Sequence, residues 1–434
     1  MKMERRAHVV TTAWVLGLAC VISSAAVYGQ GQRQRALPSS ARATPTPPPA
    51  GVVELAKGNN QFAVDLYAQL KSGKGNLFLS PYSIRTALAM PYAGAQGETA
   101  GQMEQALNLT LKGQALHEAF RATMADLVPA EKSGYQLTIA NSLWGQTGYK
   151  FLAPFLDVNG TCYGGGFKEA DFAKAPEPAR GAINMWVEEK TKEKIKDVIP
   201  PGGIDPLTRL VLVNAIWFKG DWLDKFKKEM TTDQPFAVSA TEKVTAPLMH
   251  RTGKYRYAEA EDLQMLELPY AGERLCMVVL LPKSEAGISK IEGLISADNL
   301  NQWLANLDKQ WPREVDAYFP RFKMTWDTSK LNGPLQALGM KDPFVFGKAD
   351  FSGINGIKPP ADEAFFIAAV FHKAFVDVNE EGTEAAAATG VTMETLGMPE
   401  PPPVFRADHP FVFMIRDKAS GNILFLGRLM NPKA

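Results

Sequence analysis

The chain has 434 residues, 46% of them hydrophobic and 21% charged, with a formal net charge of +1. That apolar content supplies a sizeable buried core and excludes an intrinsically disordered chain. The near-neutral balance gives no reason to expect nucleic acid or an anionic membrane surface as the main partner.

Residues 1–29 read as a secretory signal peptide. Lys2, Arg5 and Arg6 precede an apolar run from Val9 to Ile22, and small residues follow at Ser23, Ser24, Ala25 and Ala26, the order of basic end, short apolar core and cleavage region. Thr and Gly interrupt a run already too short for a membrane span, which needs ~20 apolar residues. Gly17 stands where a lipoprotein signal around Cys20 would carry a large aliphatic side chain. A secreted protein, extracellular or periplasmic, is therefore expected, with no membrane attachment after the leader is removed. Residues 30–50, rich in Gln, Arg, Ser, Thr and Pro, read as an extended linker. No repeat and no second linker follow, so residues 51–434 are expected to form a single domain.

The elements then run from helices to strands. Val53 to Leu70 carries Leu55, Phe62, Leu66 and Leu70 at helical spacing, and Ser80-Pro81 opens a second helix through Met90 with proline at a first-turn position. Helical segments continue to about Ala125. Strand signals appear at Leu137 to Trp144 and Leu210 to Phe218, with one helix face marked between them by Ile183, Trp186 and Val187. From Pro235 onward strands are expected to prevail: Gln264 to Leu268, Leu275 to Leu281, Val315 to Phe322, Ala369 to Val378, Phe411 to Ile415 and Ile423 to Leu429. Helices first and strands later in one undivided chain indicate an α+β fold. If Cys20 leaves with the leader, Cys162 and Cys276 remain, either paired or as buried free thiols. Asn108-Leu109-Thr110 and Asn159-Gly160-Thr161 fit the N-glycosylation pattern, which has meaning only in a eukaryote.

Enzyme chemistry has no visible home in the chain. There is no HExxH, GxSxG, Walker A, CxxC or dinucleotide-binding glycine pattern. His8, His117, His250, His372 and His409 have no second metal ligand at a recognised spacing. The stretch Cys162 to Gly166 is the nearest approach to a nucleophile turn and reads better as a flexible loop. A hydrolase whose site is dispersed along the chain stays open as an alternative, and it predicts substrate turnover.

The informative stretch is Ala369 to Pro410. After the strand ending at Val378 come about twenty small and polar residues, including Ala385 to Ala388, and then Pro399-Glu400-Pro401-Pro402-Pro403. Such a length is unusual for a connection in a compact domain. Its composition is strand-competent up to about Met398 and strand-forbidden after it, because the proline cluster lacks amide donors.

This segment resembles the hinge and reactive-centre loop of the serpins, and the resemblance extends over almost all of Gly51 to Pro432. Asn76 to Ile84, Leu212 to Trp222, Leu266 to Tyr270, Leu280 to Pro282, Ala407 to Phe413 and Phe425 to Arg428 are similar to serpin signatures and follow the family's order. The resemblance implies helices packed around a large central mixed β-sheet plus smaller sheets, with an exposed loop. It also implies an irreversible suicide-substrate inhibitor of a chymotrypsin-like or elastase-like serine protease, not a catalyst. The cut loop would insert into the central sheet, and ~15 residues at ~3.3 Å each span roughly 50 Å. The implied partner is that protease in a covalent 1:1 complex with a monomeric inhibitor.

Roles are implied position by position. Glu380, Gly382 and Thr383 open the hinge, and Ala385, Ala386, Ala387 and Ala388 match the small-residue run of inhibitory members. Ser80, Ser83, Asn214 and His372 resemble the polar cluster beneath the middle of the sheet. Trp222 with Glu380 resembles the point at its top where insertion begins. Counting from Gly382 puts the reactive bond at Leu396-Gly397, with Met398 and Met393 as runners-up. Counting back from Pro410 gives Pro399-Glu400, three residues later. No metal or cofactor is implied. Residues 114–131 carry few basic residues, with Arg121 inside and Lys132 just beyond, so the heparin activation of some serpins is not expected. The alternatives are a non-inhibitory serpin acting as carrier or chaperone, or an inhibitor of a cysteine protease. The leader and linker favour a bacterial exported member.

Overall fold

The computed structural model describes residues 48–127, 134–164, 166–326, 331–383 and 401–433. The leader, most of the linker, Ala385 to Ala388, Met393, Leu396, Gly397, Met398, Pro399 and Glu400 lie outside the described residues.

The first helix, α1 (Ala50–Leu70), starts directly after Pro49, and β1 (Leu77–Leu79) leads into α2 (Pro81–Tyr92). The Ser80 side chain caps α2 by accepting from the Ser83 N–H, with Pro81 at the position where its missing donor costs nothing. Every residue of α2 is buried, which marks a central helix rather than an amphipathic surface one. Its one cation, Arg85, is satisfied by the carbonyls of Leu55 at 2.7 Å, Leu107 at 2.7 Å and Asn108 at 2.6 Å. Next come α3 (Gly97–Ala106), α4 (Gly113–Leu127), β2 (Tyr135–Gln146), α5 (Ala153–Cys162), β3 (Phe167–Ala170) and α6 (Pro176–Lys190).

The second half holds β4 (Leu210–Asp221), β5 (Thr232–Ala237), β6 (Lys243–Glu259), β7 (Leu263–Pro269) and β8 (Leu275–Pro282). Two helices then interrupt the strands, α7 (Ile288–Leu294) and α8 (Ala297–Asp308), where the sequence reading expected strands to prevail. The signal for α8 was present: Ser296 caps it by accepting from Asn299 N–H, and Leu300, Leu304 and Leu307 bury one face. After them come β9 (Arg313–Pro320), β10 (Phe322–Trp326), the short helices α9 (Asn332–Ala337) and α10 (Ser352–Asn355), β11 (Ala369–Val378) and β12 (Gly382–Thr383). Three strands close the chain: β13 (Val404–Arg406), β14 (Phe411–Asp417) and β15 (Ile423–Leu429).

Among the described residues the strands form two sheets. One has nine strands in the order β1-β15-β14-β8-β7-β6-β9-β13, with β5 on β6; the other has the order β10-β11-β4-β2-β3, with β12 on β4. The run from Val315 to Phe322, expected as one strand, is divided between the two sheets. The Arg321 N–H still donates to the carbonyl of Pro247 opposite it, at 2.9 Å, but Pro247 has no N–H to return, and the ladder with β6 ends there.

The central pair of the second sheet matters most. β11 and β4 run parallel, from Ala369 beside Val211 to Phe375 beside Trp217. Both faces of this sheet are covered, so β4 is an almost unbroken apolar run. One face packs on α6 through Val211, Val213, Ala215 and Phe371 with Ile183 and Val187. The other meets the large core, where Phe218 and Ile216 join Phe78, Phe413 and Phe425 from the nine-stranded sheet. Cys162 and Cys276 are both buried and free, which settles their state. Asn159 is buried in α5, donating to the Phe155 carbonyl at 2.9 Å, so that sequon has no accessible acceptor.

Candidate functional site

Two polar clusters lie against the central pair, one beneath its middle and one at its top. Beneath the middle lie Ser80, Ser83, Asn214 and His372, all fully buried and all joined. Register puts His372 beside Asn214, and Asn214 beside Asn141, so one row of polar side chains crosses β11, β4 and β2. The Ser80 N–H donates to His372 Nε2 at 3.2 Å, and His372 Nδ1 faces the Asn214 side-chain oxygen. An accepting Nε2 leaves the proton on Nδ1 for Asn214, so the ring is neutral. The Asn214 amide donates in turn to Ser83 Oγ and to Asn141 Oδ1. Ser83 Oγ also donates to Asn141 Oδ1 at 3.3 Å, and Ser80 Oγ donates to the Leu424 carbonyl at 2.6 Å. The network ties α2 and the nine-stranded sheet to the seam between β4 and β11.

Sequence reasoning missed Asn141. A polar residue interrupting the apolar strand Ile139 to Trp144, like Asn214 in its own strand, was the available signal.

Burial lowers the His372 pKa from the usual 6.5 to about 3. The folded ring stays neutral to about pH 3, whereas the unfolded chain takes up this proton below about pH 6.5. The stabilisation is therefore complete at neutral pH and is lost as pH falls from about 6.5 toward 3, by at most about 1.4 kcal/mol per pH unit. Urea unfolding measured across that window should show the slope, and His372→Phe should flatten it by one proton's worth while lowering stability at pH 7.

At the top of the seam the chain turns back on itself. Asn379 and Gly382 exchange backbone hydrogen bonds of 2.8 and 3.1 Å, and β12 then runs antiparallel to β4, with Gly382 beside Asp221 and Thr383 beside Gly220. Trp222 stacks on Tyr270 at 4.7 Å and donates its indole N–H to the Asn379 carbonyl at 3.0 Å. The Trp222 and Phe226 N–H groups hold the carbonyls of Glu381 and Glu380, each at 2.9 Å.

Glu380 is buried against Arg321 and accepts from Thr231 Oγ1 at 2.8 Å. Burial alone would raise its pKa, but these partners bring it below the usual value. The Lys225 and Lys228 ammonium groups hold Glu381 at 3.0 and 3.4 Å, and hydrogen bonding from Lys225 is the main cause of its lowered pKa. Arg321, Thr231 and Tyr270 were not anticipated in this role, because each reaches this point from a distant segment; Asn379, beside Glu380, was passed over.

Gly382 has a φ of +146°, and a Cβ there would lie 2.1 Å from the Gly220 carbonyl oxygen and 2.6 Å from Asp221 Cα. Only glycine fits. Gly382→Ala should unseat β12 and cost roughly 1–3 kcal/mol; chemical denaturation of the intact protein measures it.

The stretch downstream of the expected reactive bond is also anchored. β13 pairs parallel with β9, and the Asp316 N–H donates to the Pro403 carbonyl at 3.0 Å. The described chain thus leaves the top of one sheet at Thr383 and resumes on the edge of the other before Val404. The family profile described as Serpin (serine protease inhibitor) matches residues 57–432. The chain belongs to the serpin family.

The leukocyte elastase inhibitor of Bos taurus is 45% identical over 391 residues, covering 87% of this chain and all of that protein. The Homo sapiens protein of the same name is 42% identical with the same coverage. The crystal structure of uncleaved ovalbumin superposes with a TM-score of 0.78 at 30% identity, covering 87% of this chain and 100% of that one. As a serpin, the chain is a protease inhibitor and not a catalyst.

These relatives correct the expectation of secretion. The elastase inhibitors are matched along their whole length by 87% of this serpin, so they carry no counterpart of a leader and linker, and the extracellular or periplasmic assignment is withdrawn. The expected bacterial source finds no support among them either.

Proposed function

We propose that this serpin traps an elastase-like or chymotrypsin-like serine protease as a suicide substrate, with Leu396-Gly397 as the reactive bond. The observation that carries the reading is the parallel, closed seam between β4 and β11, with β12 already paired to β4 at its top. A strand running opposite to both would pair antiparallel with each, and β12, already on β4, has the required direction. Insertion of a serpin's cut loop is a known form of strand addition and switching.

Continuing the β12 register down β4 assigns each loop residue a place in the inserted state. Ala385 would come beside Phe218, Ala387 beside Ile216, Thr389 beside Asn214 and Val391 beside Leu212. Directly opposed residues share a face, so these four would point into the core and toward the His372 cluster. Glu384, Ala386, Ala388, Gly390 and Thr392 would take the other face. Small residues enter a packed seam without displacing it, and Thr389 brings a hydroxyl to the level where the His372–Asn214 contact must part. Met393 would reach Leu210, the first residue of β4, and Leu396 would lie three residues beyond it, at the far end from the hinge.

The protease is attacked through its own acyl-enzyme. Leu396 suits an apolar specificity pocket, and the names of the relatives, leukocyte elastase inhibitors, support an elastase-like target. The 1:1 stoichiometry and the monomeric inhibitor belong to the same proposal.

Incubation with leukocyte elastase should give a complex that survives denaturing gels and a released peptide beginning at Gly397. A peptide starting elsewhere would move the bond to Met398, Met393 or Pro399. Cleavage with the protease left active and no gain in heat stability would favour a carrier or chaperone instead. Thr389→Arg, which places a cation in the seam, should be cleaved at the wild-type rate yet leave most of the elastase active.

A further inference from the structure

The edge where the chain re-enters the fold carries a large apolar side chain that nothing among the described residues covers. Trp311 is 88% exposed, more than any other large hydrophobic among the described residues. It sits in the turn between α8 and β9, and that turn is braced rather than loose. Arg256 donates to the carbonyls of Asp308 and of Gln310, the latter at 2.7 Å. Pro312 follows, and the Arg313 guanidinium lies 4.9 Å over the Tyr257 ring. Holding a tryptophan in water on a fixed turn has no evident use within the fold.

Its position relative to the loop gives it one. Val404, itself 51% exposed, pairs beside Asp316, and its carbonyl is held by the Gln264 amide at 3.2 Å. Because β13 and β9 run parallel, residues upstream of Val404 are carried back alongside those upstream of Asp316. The Asp316 bond to the Pro403 carbonyl is the first step of that path, which leads toward Arg313 and the Trp311 turn. The bond proposed above is only four residues before Pro401, about 13 Å of extended chain. A protease of about 220 residues has a radius of gyration of roughly 17 Å, so one that grips that bond must overhang this edge.

We infer that Trp311, on the turn that leads through Arg313 into the edge strand where Val404 pairs, is a docking surface for the target protease, separate from the loop that is cut. The inference rests on the reading that the loop is attacked at Leu396-Gly397. Tryptophan, with tyrosine and arginine, is enriched among the few side chains that dominate protein interfaces. Such a contact acts on encounter and leaves insertion alone.

The test uses the full chain and leukocyte elastase. Trp311→Ala should lower the second-order rate constant of inhibition about tenfold, with thermal midpoint and stoichiometry of inhibition unchanged, and Trp311→Phe should keep most of the rate. Affinity for elastase whose catalytic serine is replaced by alanine should fall by a similar factor, since docking precedes cleavage. A rate within twofold of wild type overturns the docking surface. So does a loss that appears as raised stoichiometry, which would put Trp311 in loop insertion instead. If the wild-type protein forms no covalent complex at all, the reading beneath the inference has failed and the docking surface falls with it.

Discussion

The structure turns on two neighbouring strands that run the same way. β4 and β11 are parallel and closed along seven residue pairs from Ala369 to Phe375, and a parallel pair is the one arrangement that a strand of opposite direction can divide to form two antiparallel interfaces. Antiparallel pairing is slightly the more stable of the two per residue. Division would therefore exchange one weaker ladder for two stronger ones and bury the inserted side chains as well. What holds the seam shut is local: the His372–Asn214 contact and the ring's acceptance from the Ser80 N–H. A neutral histidine with both nitrogens used is rigid because any rotation leaves a buried donor or acceptor unmet.

The top of the sheet has the opposite task, to keep a strand start in place without letting it advance. The turn from Asn379 to Gly382 reverses the chain, and Trp222, Phe226 and Arg321 fix its carbonyls and carboxylate. Gly382, the first residue of the proposed hinge strand, has a backbone conformation and a closeness to Gly220 that leave no room for a side chain. At the other end of the loop, β13 is pinned on β9. The described chain on either side of the stretch, at Thr383 and at Val404, is thus held against sheets. Cleavage is what would free the upstream half, so the trigger in the proposed mechanism is a covalent event and not thermal opening.

Much of this was legible in the sequence, and the gaps have physical causes. Periodicity found α1, α2 and the strands β2, β4, β8 and β11, because their apolar runs are long and their caps, such as Ser80 before Pro81, are chemically specific. It did not find that the run from Val315 to Phe322 enters two sheets, because hydrophobicity continues across the break, which falls where Pro247 has no N–H to return to Arg321. It passed over α8, whose face of Leu300, Leu304 and Leu307 lay between stronger strand signals. In the site, Ser80, Ser83, Asn214, His372, Trp222 and Glu380 could be named from a resemblance of motifs. Asn141, Arg321 and Thr231 could not, because their importance comes from register and from crossings between segments far apart in the chain. Asn159 shows the converse: its sequon is complete on paper, and its side chain is spent on the carbonyls of Phe155 and Met90.

The small residues of the loop have to satisfy two incompatible states, and their order reflects both. As a protease substrate the stretch must be extended and accessible. As a strand between β4 and β11 it must present a core face and an outer face with a period of two. Alanine at four consecutive positions serves either state, since it loses no side-chain entropy on burial and offends neither face. Polar side chains cannot be so neutral, and the two in the first half of the stretch fall where the continued register tolerates them. Glu384 would lie on the outer face and Thr389 at the level of the Asn214 amide. A bulky or charged residue at Thr389 would leave the bait intact and close the trap's only path, so the same sequence would be cut and released. In the proposed mechanism, inhibition and digestion would be separated by the size and charge of the one side chain that meets the seam at the level of Asn214.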